Sequence, residues 1–218
     1  MRLSDFTAVG RLPDPRYPTN LAMMALALIV TIAGAVFHLI SGASLLESAQ
    51  WGVGAGFAVF FTWALGRELD PDHDLSAFVG VAPMLAGLVL LGQPSLLVLL
   101  WLMLTLRVVN RTSGLPAKPM DSLAYLGLGG WLTWQGHWIV GLMTTVAFLL
   151  DGLLPAPLRH HLLLSGLAFI ATVVLAVFHG GMAMESGPTL PVVISAVGMA
   201  GLFLVVIATS RELQAEGD

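Results

Sequence analysis

The sequence predicts an all-α fold, a polytopic bundle of eight transmembrane helices with both termini on the cytoplasmic side. Three observations lead there: 57% of the residues are apolar and only 10% charged, the mean hydropathy is +0.88, and long apolar runs recur between short polar stretches. So few charged side chains cannot cover a water-facing globule, and the runs are too many for one soluble core. The 9 Lys and Arg against 13 Asp and Glu give a net charge of −4, and no nucleic-acid partner is expected. The absence of cysteine excludes disulfides, thiol nucleophiles, iron–sulfur clusters and cysteine-ligated zinc.

Residues 1–18, MRLSDFTAVGRLPDPRYP, mix arginines, aspartates and prolines, unlike the charged-then-apolar layout of a cleaved signal, and are read as a cytoplasmic tail. A single transmembrane domain is expected over 19–211, followed by a second tail at 212–218. The first span is placed at 19–40, with Thr19 or Asn20 as its cap, and the second at 49–65. Pro71 and Gln93-Pro94 bracket a third at 75–92, and a fourth follows at 95–109. At about 1.5 Å per residue the last two reach roughly 25 Å, so they cross a locally thinned bilayer or tilt little.

Residues 122–154 read either as one long tilted helix or as two short ones meeting near Trp134, Gln135, Gly136 and His137. Further spans are placed at 161–178 and 191–209. The count is thus seven or eight, and the placement of cations decides it, because Lys and Arg beside short loops stay on the cytoplasmic side. Eight spans put Arg2, Arg11, Arg16, Arg67, Arg107, Arg111, Lys118, Arg159 and Arg211 all inside, whereas seven send Arg159 and Arg211 out. Trp131, Trp134, Gln135, His137 and Trp138 then form an outer turn at aromatic-belt depth. A re-entrant hairpin is the remaining form for segments five and six.

In this topology GRELDPDHDLS (66–76) is the first cytoplasmic loop, and LRVVNRTSGLPAKPMD (106–121) the second. One is acidic and the other basic. Part of the first is explained by capping: Asp70-Pro71 reads as an N-cap with proline at the first helical position, with Asp72 and Asp74 in the first turn, and Asp121-Ser122 reads as the cap of span five. Capping needs one carboxylate, however, and Glu68, Asp70, Asp72 and Asp74 supply four that repel one another unless a cation compensates. Hard oxygen ligands suit Mg²⁺, and Arg107, Asn110, Arg111 and Lys118 suit a phosphate. The aspartates alternate instead of recurring one helical turn apart, and neither a glycine-rich phosphate loop nor a serine nucleophile elbow occurs.

A second set of polar residues lies at the expected outer face. Val-Phe-His occurs at 36–38 and at 177–179, and Arg-Glu-Leu at 67–69 and 211–213, a resemblance that chance explains better than an internal repeat. Convergence of His38, His137 and His179 would allow haem b or a metal, against the simpler role of interfacial side chains. Asn110-Arg111-Thr112 is a glycosylation sequon on the wrong side of the membrane. The glycines of GVGAGF (52–57) and LGLGGW (126–131) suit close helix approach.

The expected function is handling of a lipid or isoprenoid phosphate at the cytoplasmic face, with a divalent metal on Glu68, Asp70, Asp72 and Asp74 and the phosphate on Arg107, Asn110, Arg111 and Lys118. The alternative is a non-catalytic accessory or scaffold subunit of a membrane complex, which needs only capped loops and apolar faces. A small-solute transporter ranks third, since the span interiors read as nearly devoid of ionisable residues. Membrane lipids and other membrane subunits are the expected partners, and a bacterial or archaeal plasma membrane the expected location.

Overall fold

A computed structural model describes residues 13–110, 117–154 and 157–178. The chain divides into two compact units, Met1–His179 and Gly180–Asp218, and all the described residues belong to the first. Every regular element among them is helical: α1 (Pro18–Ile40), α2 (Leu45–Leu69), a single 3₁₀ turn (Ser76–Phe78), α3 (Val81–Leu90), α4 (Leu96–Asn110), α5 (Pro119–Trp134), α6 (Trp138–Leu153) and α7 (His160–Phe178).

The boundaries follow local chemistry. Pro18 opens α1 at a position where its missing N–H costs nothing. The second helix starts at Leu45, earlier than the apolar run suggests, because Ser44 and Glu47 form a reciprocal capping box: Ser44 Oγ accepts from the Glu47 N–H at 3.3 Å and the Ser44 N–H donates to Glu47 Oε2 at 2.9 Å. It also runs on to Leu69 instead of ending at 65.

The third element corrects the sequence reading. Asp70 is not an N-cap; its N–H closes the end of α2 on the Gly66 carbonyl. Residues 71–75 are irregular, and α3 proper is only the 10 residues Val81–Leu90, about 15 Å long at the standard rise. Glycine at 80 and Pro83 leave no strong helix former to carry a continuous helix back to Leu75. Asp121 and Ser122 do not cap α5 from outside either. The helix begins at Pro119, and Asp121, inside the first turn, accepts the Lys118 N–H at 3.0 Å.

Residues 122–154 are not one long helix. The chain breaks at Gln135–His137, where Gly136 takes a φ of +96°, a left-handed conformation that glycine adopts without Cβ strain. The resulting hairpin brings α5 and α6 back along each other, with α7 against both.

Two apolar clusters organise the unit. One joins α1, α2 and α3 with part of α4 around Met23, Val59, Trp63 and Met103; the other joins α4 to the α5–α6–α7 group around Trp101, Tyr125, Leu132 and Phe148. α4 therefore contributes to both. In the first, α1 and α2 meet through small residues: a Cβ on Gly52 would lie 2.8 Å from Ala35 Cβ, and one on Gly56 would lie 2.8 Å from the Ala27 carbonyl oxygen. In the second, Trp101 Nε1–H donates to Thr144 Oγ1 at 2.9 Å, and Thr105 and Tyr125 hydroxyls pair at 2.9 Å.

α1 and α7 are each long and apolar enough to cross a membrane. Much of α1 presents bare hydrocarbon, with Leu28, Ile29, Ile32 and Phe37 all at least half exposed. The hydroxyls of Thr31, Thr62, Thr105, Thr133, Thr144 and Thr172 each donate to the carbonyl one turn back in their own helix. That bond satisfies a hydroxyl with no need of water.

Candidate functional site

The start of α1 and the ends of α2 and α4 meet around Arg67 and Arg107, the Thr105–Tyr125 pair joins the end of α4 to the start of α5, and Ser122, Asp151 and His161 join the starts of α5 and α7 to the end of α6, so these helix ends share one end of the unit. Both of the polar groupings that matter lie at that end.

The first uses the two loops singled out in the sequence. Glu68, on the last turn of α2, accepts from Arg107 Nε–H of α4 at 2.6 Å, with both side chains mostly buried. Asn110 Nδ2, one turn on, approaches the Glu68 carbonyl at 3.5 Å. Among the described residues the acidic and basic segments thus do meet, through Glu68 and not through Asp70 or Asp74. Asp74 turns back to pair with Arg67. Asp70 holds His73 at 3.0 Å, which lowers the Asp70 carboxyl below its ordinary value and raises the His73 imidazole above its own. Asp72 is exposed. Among the described residues no group of three or more His, Asp or Glu is gathered as a metal would need. Arg111 lies outside the described residues, and Lys118 stands at the start of α5.

Arg67, Glu68 and Arg107 border a cavity of about 290 Å³ between α1, α2 and α4, with Asp14 and Asn20 on the α1 side and Phe60, Trp63 and Met103 forming its hydrocarbon wall. The cavity is amphipathic by construction. Arginines end two helices, where a cation complements the negative dipole, and one turn deeper the same helices offer aromatic and aliphatic surface. Trp63 is 5% exposed, and its indole N–H is buried with no hydrogen-bond partner among the described residues. A buried donor left unpaired costs about 1–3 kcal/mol, so a ligand acceptor reaching it would recover part of that.

The second grouping was not legible as a site. Ser122 on α5, Asp151 on α6 and His161 on α7 form a hydrogen-bonded chain: Ser122 Oγ to His161 Nε2 at 2.7 Å, and His161 Nδ1 to Asp151 Oδ2 at 2.6 Å. Both ring nitrogens of His161 thus have a partner, and Ser122 Oγ also lies 3.4 Å from the Lys118 carbonyl of its own helix. All three side chains are essentially inaccessible, at 1%, 1% and 0% exposure. The edge of Phe148 packs against the His161 ring with centroids 4.9 Å apart, and His160 meets the same ring edge-on at 4.6 Å.

Asp151 lies on the last turn of α6 and His161 on the first turn of α7, so these buried ionisable groups stand at helix ends and not in mid-helix. Asp151 sits inside the apolar run FLLDGLL, and a carboxylate within such a run is the signal that could have raised the question of its partner. Nothing in sequence marks His161, next to the exposed His160, as the one that turns inward.

Of the three histidines expected at the outer face, the two among the described residues belong to no group of three potential metal ligands. His38 stacks on Trp51 with centroids 5.3 Å apart, His137 is exposed at the start of α6, and His179 lies outside the described residues.

Comparison with protein-family models, curated proteins and solved structures finds no match.

Proposed function

We propose that this chain is an integral membrane protein that binds a lipid or isoprenoid phosphate at the arginine-bordered cavity between α1, α2 and α4. The observation that carries the reading is the composition of that cavity, which sets Arg67 and Arg107 beside a wall of Phe60, Trp63 and Met103. A phosphate suits the guanidinium forks, and a hydrocarbon tail suits the wall. Glu68 and Asp74, each bound to one of these arginines, hold the guanidinium groups in place and moderate their charge. In this reading the carboxylates serve the arginines and no metal is required.

Membrane embedding is supported by the exposed apolar face of α1, by the two helices of spanning length and by threonine hydroxyls satisfied within their own helices. A multi-span bundle with the arginine end in the cytoplasm extends that reading. The pairing of every arginine at the cavity with a carboxylate favours, as a second reading, an accessory subunit whose charges are only structural. Native mass spectrometry of the detergent-released protein separates the two. Bound phosphate-bearing lipid, lost in Arg107→Gln and Arg67→Gln, supports the first reading; equal retention of neutral and phosphate lipids by wild type and variants supports the second.

A further inference from the structure

The Ser122–His161–Asp151 chain plays no part in the phosphate-binding reading, and its position has a consequence of its own. Along α5 the residues one, two and three turns beyond Ser122 on the same face are Leu126, Gly129 and Thr133. Along α7 the corresponding residues beyond His161 are Ser165, Ala168 and Thr172. Leu126, Gly129, Thr133, Ala168 and Thr172 line a cavity of about 210 Å³, closed on the third side by Gly141 and Thr144 of α6. One interhelical seam therefore holds the hydrogen-bonded chain at its end and an almost wholly apolar hollow beginning about one turn, or roughly 6 Å, away.

We infer that Ser122 is a nucleophile, with His161 as its general base and Asp151 orienting the imidazole, acting on an ester or thioester whose acyl group is a short apolar chain seated in this seam. The distances are those of an activated serine, hydroxyl to base at 2.7 Å and base to orienting carboxylate at 2.6 Å, with the Lys118 carbonyl a longer alternative acceptor for the hydroxyl at 3.4 Å. Ser122 does not itself line the hollow, so in this inference the acyl carbonyl reaches it past Leu126 from the near end of the cavity, and burial strengthens the Asp151–His161 interaction. Ser122 Oγ attacks the carbonyl carbon while its proton passes to His161 Nε2. The bond to the leaving alcohol or thiol breaks, and that group takes the proton from His161. Water, activated by the same imidazole, then releases the carboxylic acid and regenerates the hydroxyl.

The test uses the full-length chain in nanodiscs and a fluorophosphonate probe carrying a short alkyl group. Its Ser122 Oγ–P bond forms as the P–F bond breaks, fluoride leaves and His161 takes the proton. Peptide mapping should place one adduct on Ser122, with none in Ser122→Ala and at least tenfold slower labelling in His161→Gln. Because variants of a buried cluster can fail to fold, Ser122→Cys gives a second readout: in this cysteine-free chain the introduced thiol is the only one. It should be alkylated at least tenfold faster at pH 6.5 than a single thiol introduced at Leu126, since thiolate formation is what the imidazole promotes. Folded wild type that leaves Ser122 unlabelled, labelling unaffected by His161→Gln, or an inert thiol at 122 would each overturn the inference and leave the three residues as a structural clasp between α5, α6 and α7.

Discussion

Asp70 and His73 face each other across the bend that follows α2, exposed enough that their pairing can be read by titration. The bond raises the imidazole above its ordinary 6.5 and lowers the carboxyl below its ordinary 3.8. For His73, whose folded value is the higher, the stabilising contribution is complete below the unfolded value and is lost as pH rises through the folded one. For Asp70 the sign is opposite: the contribution is complete above the unfolded value and is lost as pH falls through the depressed folded one. The pairing is therefore fully present between about pH 4 and 6.5. A proton NMR titration of His73 should give a midpoint above 6.5 that returns towards it in Asp70→Asn. An unchanged midpoint would remove the pair. At the same scale, Ser122→Ala removes the buried Ser122–His161 hydrogen bond and should cost about 0.5–1.5 kcal/mol by denaturant titration. No measurable loss would mean that the hydrogen bond is absent.

At the scale of elements, the α1–α2 contact depends on glycine in a way that can be broken selectively. Gly56→Leu drives a side chain into the Ala27 carbonyl and Thr31, and should destabilise the unit by at least 1–3 kcal/mol. Gly127→Leu, inside α5 at a position with open space around it, should cost nothing, since leucine favours a helix interior over glycine. Equal effects at the two sites would mean that α1 and α2 do not approach as closely as described. The sequence located α1, α4 and α7 to within a few residues because their apolar runs are bounded by proline, glycine or charge. It misplaced the start of α2, because Ser44-Leu45-Leu46-Glu47 reads as a polar turn until the Ser44–Glu47 reciprocity is seen. It overextended α3, since apolar content between Leu75 and Gly92 says nothing about the break at Gly80. The meeting of the two charged loops was legible from opposite charge at one end of the bundle; which carboxylate met Arg107 was not, because that depends on the last turn of α2 continuing to Leu69. The Ser122–His161–Asp151 chain was invisible for a related reason. Its members are far apart in sequence, and only the α5–α6 hairpin and the return of α7 bring them together.

For the whole molecule, the arginine-bearing end is expected on the cytoplasmic side and the Gln135 turn on the other. The chain's lack of cysteine makes this directly measurable with single substitutions. In right-side-out cells an impermeant thiol reagent should label Gln135→Cys and leave Asp72→Cys and Leu158→Cys protected until the membrane is opened. Labelling of Asp72→Cys from outside would invert the topology, and with it the side from which a headgroup enters the cavity. Orientation matters here because the proposed ligand has both a charged and an apolar part. The cavity between α1, α2 and α4 offers them in the matching order, with guanidinium groups at the helix ends and hydrocarbon one turn deeper.

The most direct test of that proposal is equilibrium binding of a short-chain lipid phosphate to the full-length protein in nanodiscs, comparing wild type with Arg107→Gln, Arg67→Gln and Asp72→Asn. Loss of one charge-assisted guanidinium contact, worth about 1.5–3 kcal/mol, should weaken binding by roughly ten- to a hundredfold in either arginine variant. Asp72→Asn, at an exposed position away from the paired arginines, should leave it unchanged. Affinity that is absent in wild type, or that is indifferent to both arginines, would contradict the assignment of this cavity to an amphiphile's phosphate.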